Sequence, residues 1–488
     1  MKYLLAAILG MLALSPASAQ QGKETRYLAF QIFTYSPDPH AAFGPDSGPT
    51  AGLPDKASLR TYIGDIRQKV GTAGTRSARL AVILGPVSFE HTDQQVTRFL
   101  ETGFDLALET GVAVGFHIDD SMFWARRKDL ASDPANLEVM DWNGTVNTGR
   151  RLDWGKVPAS APPQLCFNAK AVRQAVEERS ALIGKAIAKG LARLEQEGKP
   201  ELFAGVIAGW ETMIGEDFKT GSALGYRALM NRGYSANKPP QDMDRERESV
   251  VSEFIALWAK GLEAAGVPEA KVYSHIAFQP GRVFEAGNHK DATYSQRNHF
   301  TPPSAAFGEP YRPGFSTYPQ PGLFEDIHAE LAKHPQTGWA SSEGTNLRLG
   351  AKPGESGMTM ETYLAKVFNH GGTLVNLYSW GVGGDAHKDM DFRVVTEGEE
   401  ALLAYRRFLR GDPLVEGEAI QTSSLADRMP AKIQRIQAEA PAWIQSSPEN
   451  RAKGFPLIQK LRQQMGDRNF AEAEVTADAI LKMLDAKP

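Results

Sequence analysis

The stretch Leu202 to Glu216, LFAGVIAGWETMIGE, decides how this chain is read. An unbroken apolar run from Leu202 to Ala208 has the pattern of a strand buried on both faces, and a glycine-containing turn follows that carries Trp210 and Glu211. A strand covered on both faces belongs to a parallel sheet under helices, and its carboxyl end is where such folds place their chemistry. Trp339 to Asn346, WASSEGTN, repeats the arrangement, with a short apolar start that delivers Glu343 into a polar turn holding Asn346.

Outward from these two stretches, further short apolar runs alternate with helical stripes. The expected strands are Tyr27 to Thr34, Leu80 to Leu84, Val112 to Ile118, the run at Leu202, Lys271 to Phe278, Gly314 to Tyr318, Gly338 to Ser342 and Thr373 to Ser379. Between them, apolar residues recur at helical spacing, as at Leu59, Ile63, Ile66 and Val70, and at Val172, Val176, Ile183 and Ile187, where Asn168 is placed to cap the helix. The alternation predicts an α/β fold, a (β/α)8 TIM barrel over residues 20–411. No glycine-rich phosphate turn follows the first strand, which argues against a doubly wound dinucleotide-binding sheet.

Long connections are expected after strands three, four and five. They span Ser121 to Phe167, Thr212 to Arg245 and Gln279 to Pro310, and the first carries Trp124. Connections of this length in a compact domain are usually functional, and all three would wall the same end of the barrel. Residues 412–488 read as a small helical appendage with three apolar stripes.

The first 19 residues combine Lys2, an apolar run from Leu4 to Leu14, and Pro16-Ala17-Ser18-Ala19, the pattern of a signal peptide cleaved near Ala19-Gln20. The run is short for a membrane span, so a periplasmic or secreted protein without a membrane span after cleavage is expected. Lys and Arg number 54 against 58 Asp and Glu, a formal net charge of -4, which leaves no basic footprint for nucleic acid. The single cysteine, Cys166, allows no internal disulfide. Oligomeric state does not follow from these features.

Strand-end residues supply the candidate site. They are His117, Asp119 and Asp120 after strand three, Trp210 and Glu211 after four, His275 near the end of five, Tyr318 after six, Glu343 and Asn346 after seven, and Trp380 after eight. Hydrolysis of a glycosidic bond needs one carboxyl group to protonate the leaving oxygen and a second to attack, or to activate water at, the anomeric carbon. Glu211 and Glu343 are the pair for that work. His117, Asp119, Asp120, Trp124, Trp210, His275, Tyr318, Asn346 and Trp380 are expected to contact a carbohydrate substrate.

In this layout the chain resembles the superfamily of retaining (β/α)8-barrel glycoside hydrolases, whose catalytic glutamates end strands four and seven. The resemblance covers roughly residues 26–411 and implies that Glu211 is the acid/base and Glu343 the nucleophile. It also implies a hydroxyl from Tyr318 beside the nucleophile and Trp380 under the sugar, with no cofactor. Many members have Asn before the acid/base where this chain has Trp210. In such a mechanism Glu211 starts protonated, favoured by burial and by the like charge of Glu343. The competing readings are a metal-dependent hydrolase, because His117, Asp119, Asp120 and His275 offer ligand types on one face, and a non-catalytic carbohydrate-binding barrel.

Overall fold

The computed structural model describes residues 24–33, 53–120, 124, 127–149, 163–277, 303–319, 322–334, 338–346, 357–380, 398–417, 425–466 and 470–485. The leader expected over residues 1–19 lies outside them, as does most of the connection after strand five.

Eight parallel strands form the sheet: β1 (Arg26–Phe33), β2 (Ala78–Val87), β3 (Ala113–Ile118), β4 (Phe203–Ala208), β5 (Val272–Tyr273), β6 (Gly314–Thr317), β7 (Trp339–Gly344) and β8 (Gly372–Trp380). Their order is β5-β4-β3-β2-β1-β8-β7-β6. The two ends meet through parallel bridges Tyr273↔Arg312 and Ile276↔Phe315. Ser274 N–H donates to Arg312 O and Ile276 N–H to Gly314 O, each at 3.0 Å, so the sheet closes into a (β/α)8 barrel. At this seam Gly314 is required, because a Cβ would run into Ser274 O and Ser342 Oγ.

Two expected strands differ from the observed ones. β5 has only two residues of regular ladder, since beyond Tyr273 the pairing continues as single bridges. β7 runs on to Gly344, which puts Glu343 inside the strand, in a register that shifts against β6 between Phe315 and Ser316. Asn168 does not cap the helix Lys170–Gln196. Its N-cap is Ala169, and the Asn168 amide instead donates to Ala228 O at 2.9 Å.

Outward-facing strand residues and the inner stripes of the helices share one core, from Leu28, Phe30 and Val82 to Phe254 and Trp258. Small and apolar side chains fill the barrel axis, among them Ala29, Ala81, Ile83, Ala113, Ile207, Ala340 and Leu374. At the amino-terminal mouth, Lys271 Nζ donates to Tyr27 OH at 3.2 Å and Arg312 pairs with Glu24 at 2.6 Å. Burial pushes the Lys271 ammonium down to about 8. At the other mouth the axial residues turn polar, and there the site begins.

The helices Leu425–Ser446, Pro448–Gly466 and Phe470–Asp485 close over their own core of Met429, Ile436, Ala440, Leu461, Ala473, Ala477 and Ile480. Among the described residues no helix is long and apolar enough to cross a membrane.

Candidate active site

Glu211 sits one turn beyond β4, and the turn is built for it. Gly209 takes φ 117°, and Glu211 itself takes φ 49°, the one non-glycine residue with positive φ among those described. A left-handed conformation costs a residue with a Cβ about 1–2 kcal/mol, so neighbours must hold it. Asp120, at the end of β3, does this by accepting the Trp210 N–H at 3.2 Å and the Thr212 hydroxyl at 2.5 Å. The Trp210 ring is stacked on His117, 4.1 Å between centroids and 5° from parallel, and is 6% exposed.

Glu343 is 7% exposed, three strands around the ring from β4. The Tyr318 hydroxyl donates to its Oε1 at 2.6 Å, a short charge-assisted bond. Below it, Thr317 Oγ1 stands 2.7 Å from Tyr363 OH, and Tyr363 is 2.9 Å from Ser341 Oγ, which locks the ends of β6 and β7 together. Tyr378, from β8, meets the Trp210 ring edge-on with 6.4 Å between centroids. Burial first and then the charge of Glu343 push the Tyr318 and Tyr378 phenols well above their usual range, with Glu211 adding to both. Both phenols are therefore hydrogen-bond donors at any working pH. Ser316 Oγ lies 3.0 Å from Glu211 Oε1 and Ser316 pairs with Glu343 in the β6–β7 ladder, so both carboxyl groups border one polar space.

Beneath that space a hydrogen-bond chain crosses the barrel axis. Asn376 Nδ2 donates to Gln31 Oε1 at 2.9 Å, and Gln31 Oε1 lies 3.0 Å from His117 Nδ1. His117 Nε2 is 3.1 Å from His275 Nδ1, His275 Nε2 is 2.9 Å from Ser316 Oγ, and Ser316 Oγ is 3.0 Å from Glu211 Oε1. Burial depresses both imidazoles, His117 well below its usual value and His275 to about 3. A histidine with a depressed folded value binds fewer protons folded than unfolded, so its contribution is complete above about 6.5 and is lost as pH falls toward 3. Denaturant titrations at pH 7, 5.5 and 4 are expected to show stability falling by up to about 1.4 kcal/mol per pH unit for such a group. A flat profile would mean that the pair is not held neutral.

The remaining sequence candidates take varied places. Asp119 is buried, and its N–H donates to Val87 O at 3.0 Å. Asn346 donates to Met358 O at 2.9 Å and its carbonyl accepts the Met358 N–H at 3.0 Å, pinning both ends of the connection after β7. Trp124 is 1% exposed within the outer core and offers no open ring face. The Trp380 side chain lies outside the described residues. Gln31, Ser316, Asn376 and Tyr378 join the site without having been singled out by sequence. Their signal was a polar residue at an inward position of an otherwise apolar strand, as in YLAFQIF and TLVNLYS.

The connections after β3 and β4 are stitched into one wall beside Glu211. Asp217 Oδ1 accepts the Thr148 N–H at 2.6 Å and its hydroxyl at 2.7 Å, Phe218 N–H donates to Gly149 O at 2.7 Å, and Gln164 donates to Met213 O at 2.9 Å. Among the described residues no three His, Cys, Asp or Glu side chains are grouped to hold a metal ion. The ring nitrogens of His117 face Gln31, Gly209 and His275.

No protein-family profile matches the sequence, and no curated protein does. Among solved structures the chain is similar to the catalytic domain of a beta-amylase from Paenibacillus polymyxa, with a TM-score of 0.47 and 10% identity over 79% of this chain and 98% of that one. It is also similar to an alpha-amylase from Malbranchea cinnamomea, with a TM-score of 0.33 and 10% identity over 85% of this chain and 78% of that one. A third likeness is the catalytic domain of an endo-beta-1,4-mannanase from Bacillus sp. JAMB-750, with a TM-score of 0.31 and 12% identity over 78% of this chain and 85% of that one.

Proposed function

We propose that the protein is an exported glycoside hydrolase that cleaves an oligo- or polysaccharide with retention, using Glu211 as general acid/base and Glu343 as nucleophile. The observation that supports this reading is the approach of Glu211, beyond β4, and Glu343, in β7, to one strand end: Ser316 Oγ lies 3.0 Å from Glu211 Oε1, Ser316 pairs with Glu343 in the β6–β7 ladder, and the Glu343 carboxylate accepts from Tyr318 at 2.6 Å. In the first step a Glu343 oxygen bonds to the anomeric carbon while the Glu211 proton passes to the departing glycosidic oxygen. In the second, Glu211 takes a proton from water, whose oxygen replaces Glu343 at that carbon. Tyr318 orients the nucleophile through Oε1, and the stitched wall of the two long connections supplies one side of the cleft.

The test is a screen of purified protein against a panel of polysaccharides, followed by NMR of the first anomer released. Hydrolysis with retention supports the proposal. An inverted product rules out Glu343 as nucleophile, and the absence of any hydrolysis favours a barrel that only binds sugar.

Tyr318→Phe keeps the ring and removes the hydroxyl. A hydrogen bond to a charged group contributes about 1.5–3 kcal/mol, so kcat is expected to fall about 10- to 100-fold. Steady-state kinetics beside an unfolding curve will separate this from loss of fold, and an unchanged kcat would remove Tyr318 from the mechanism.

A further inference from the structure

Glu343 faces the mouth of the barrel because β7 carries one residue more than its neighbours. Along β6 the sides alternate regularly, with Phe315 in the outer core, Ser316 inward against His275 and Glu211, and Thr317 outward again. Their partners on β7 are Ser341, Glu343 and Gly344, so that ladder passes over Ser342. The ladder to β8 has the same mismatch, with Ser341 paired to Val375 and Gly344 to Leu377, three steps against two. Ser342 is thus an extra residue against both neighbours, a β-bulge, and a bulge re-aims the side chain beside it. Ser342 and Glu343 both point inward. Ser342 Oγ donates to Ser274 O at 2.6 Å, through the space that Gly314 leaves, and Glu343 accepts from Tyr318. In regular alternation from Ala340, which lines the barrel axis, Glu343 would point instead into the helical layer.

Three hydroxyls close on the outer side of the bulge. Thr317 Oγ1 lies 2.6 Å from Ser341 Oγ and 2.7 Å from Tyr363 OH, and Ser341 Oγ lies 2.9 Å from Tyr363 OH. All three residues are fully buried, and Thr317 Oγ1 also donates to the Glu343 carbonyl at 3.3 Å. Gly344 completes the fit, since a Cβ there would strike Thr317 Oγ1 and Tyr363 OH. Ser341 and Gly344 therefore face the same triangle although they stand three residues apart, which holds only while Ser342 is bulged. Tyr363 comes from the helix Met360–Phe368, outside the barrel. We propose that the hydroxyl triangle of Thr317, Ser341 and Tyr363 clasps the bulge and so turns Glu343 into the mouth, which makes Tyr363 a positioning residue for the nucleophile. The catalytic meaning of the clasp rests on the reading of Glu343 as nucleophile. Without the clasp, β7 regains a regular ladder by slipping one residue, and the Glu343 carboxyl leaves Tyr318.

The test joins kinetics to crystal structures of variants of the whole chain. Tyr363→Phe keeps the ring and removes one corner of the triangle. Its kcat is expected to fall about 10-fold with KM little changed, since a reacting group misplaced by about 1 Å costs up to about 100-fold. Thr317→Val keeps the shape, removes the corner that also holds the Glu343 carbonyl and should cost more, while Thr317→Ser restores the hydroxyl and should recover most of the loss. In the crystal structures of Tyr363→Phe and Thr317→Val the Glu343 carboxyl is expected to have left the Tyr318 hydroxyl. A triangle that only stabilised the fold would lower the urea midpoint and leave kcat and the Glu343 carboxyl where they are. A carboxyl still bonded to Tyr318 in both variants, or an unchanged kcat in both, overturns the proposal. Should Thr317→Val not fold, Tyr363→Phe decides by the same two readings. The crystal structures need no substrate, so the clasp can stand in a protein that cleaves no glycan. An inactive Glu343→Gln beside an unimpaired Tyr363→Phe would reject the clasp and keep the nucleophile.

Discussion

Glu343→Gln is expected to lower kcat by roughly 10⁴- to 10⁶-fold, the range seen when a nucleophile is removed from a catalytic group that acts as a unit. The amide has the shape of the carboxylate, and its oxygen can still accept from Tyr318 OH, which donates at 2.6 Å in the native site. What it lacks is the charge that attacks the anomeric carbon. Glu343 is 7% exposed and stands beside phenols that burial first and its charge second push upward, so neutralising it should leave the fold at least as stable. The informative pair of measurements is kcat on the glycan found in the screen and the urea midpoint. A variant that keeps its midpoint and loses activity supports the assignment, whereas activity within about tenfold of wild type would place the nucleophile elsewhere.

Glu211→Gln should cost about 10²- to 10⁴-fold on a natural glycan, the usual contribution of a general acid. Here the loss should depend on the leaving group. A sugar alkoxide is too basic to depart without a proton, whereas an activated aryl leaving group departs without one, so the deficit on an aryl glycoside should be much smaller in the glycosylation step. The alkaline limb of the pH–rate profile should disappear as well, because the group whose deprotonation creates it is gone. Equal losses on both kinds of substrate would mean that Glu211 holds the turn and does no proton transfer. The turn is a fair rival explanation, since Asp120 already grips it on both sides of Glu211.

The barrel was legible because its strands are short, nearly continuous apolar runs separated by amphipathic helices, and this signal is local. Strand ends were less so. Glu343 reads as a turn residue from its polar neighbours, yet it lies within β7 because the pairing with β6 slips by one residue there, a tertiary effect with no mark in the sequence. β5 looked longer than it is because Lys271 to Phe278 holds enough apolar residues for a full strand, while the closing seam of the barrel admits only a short regular ladder. Asn168 had the right chemistry for a cap, but its amide was claimed by Ala228 O across the loop. His117, Trp210 and His275 were found as strand-end residues, and only the structure shows that they lie against one another. The residues that link them, Gln31 and Ser316, are ordinary polar interruptions until the barrel closes.

Glu211, held at φ 49°, sets chemistry against folding at a single residue. Glycine would adopt that conformation without the penalty, so the fold alone favours losing the side chain that the proposed reaction needs most. Selection for activity must therefore act continuously on this codon. In a lineage released from that selection, position 211 should be among the first of the site to drift, and glycine or asparagine should be what replaces it, while Asp120 persists because the turn still needs its anchor.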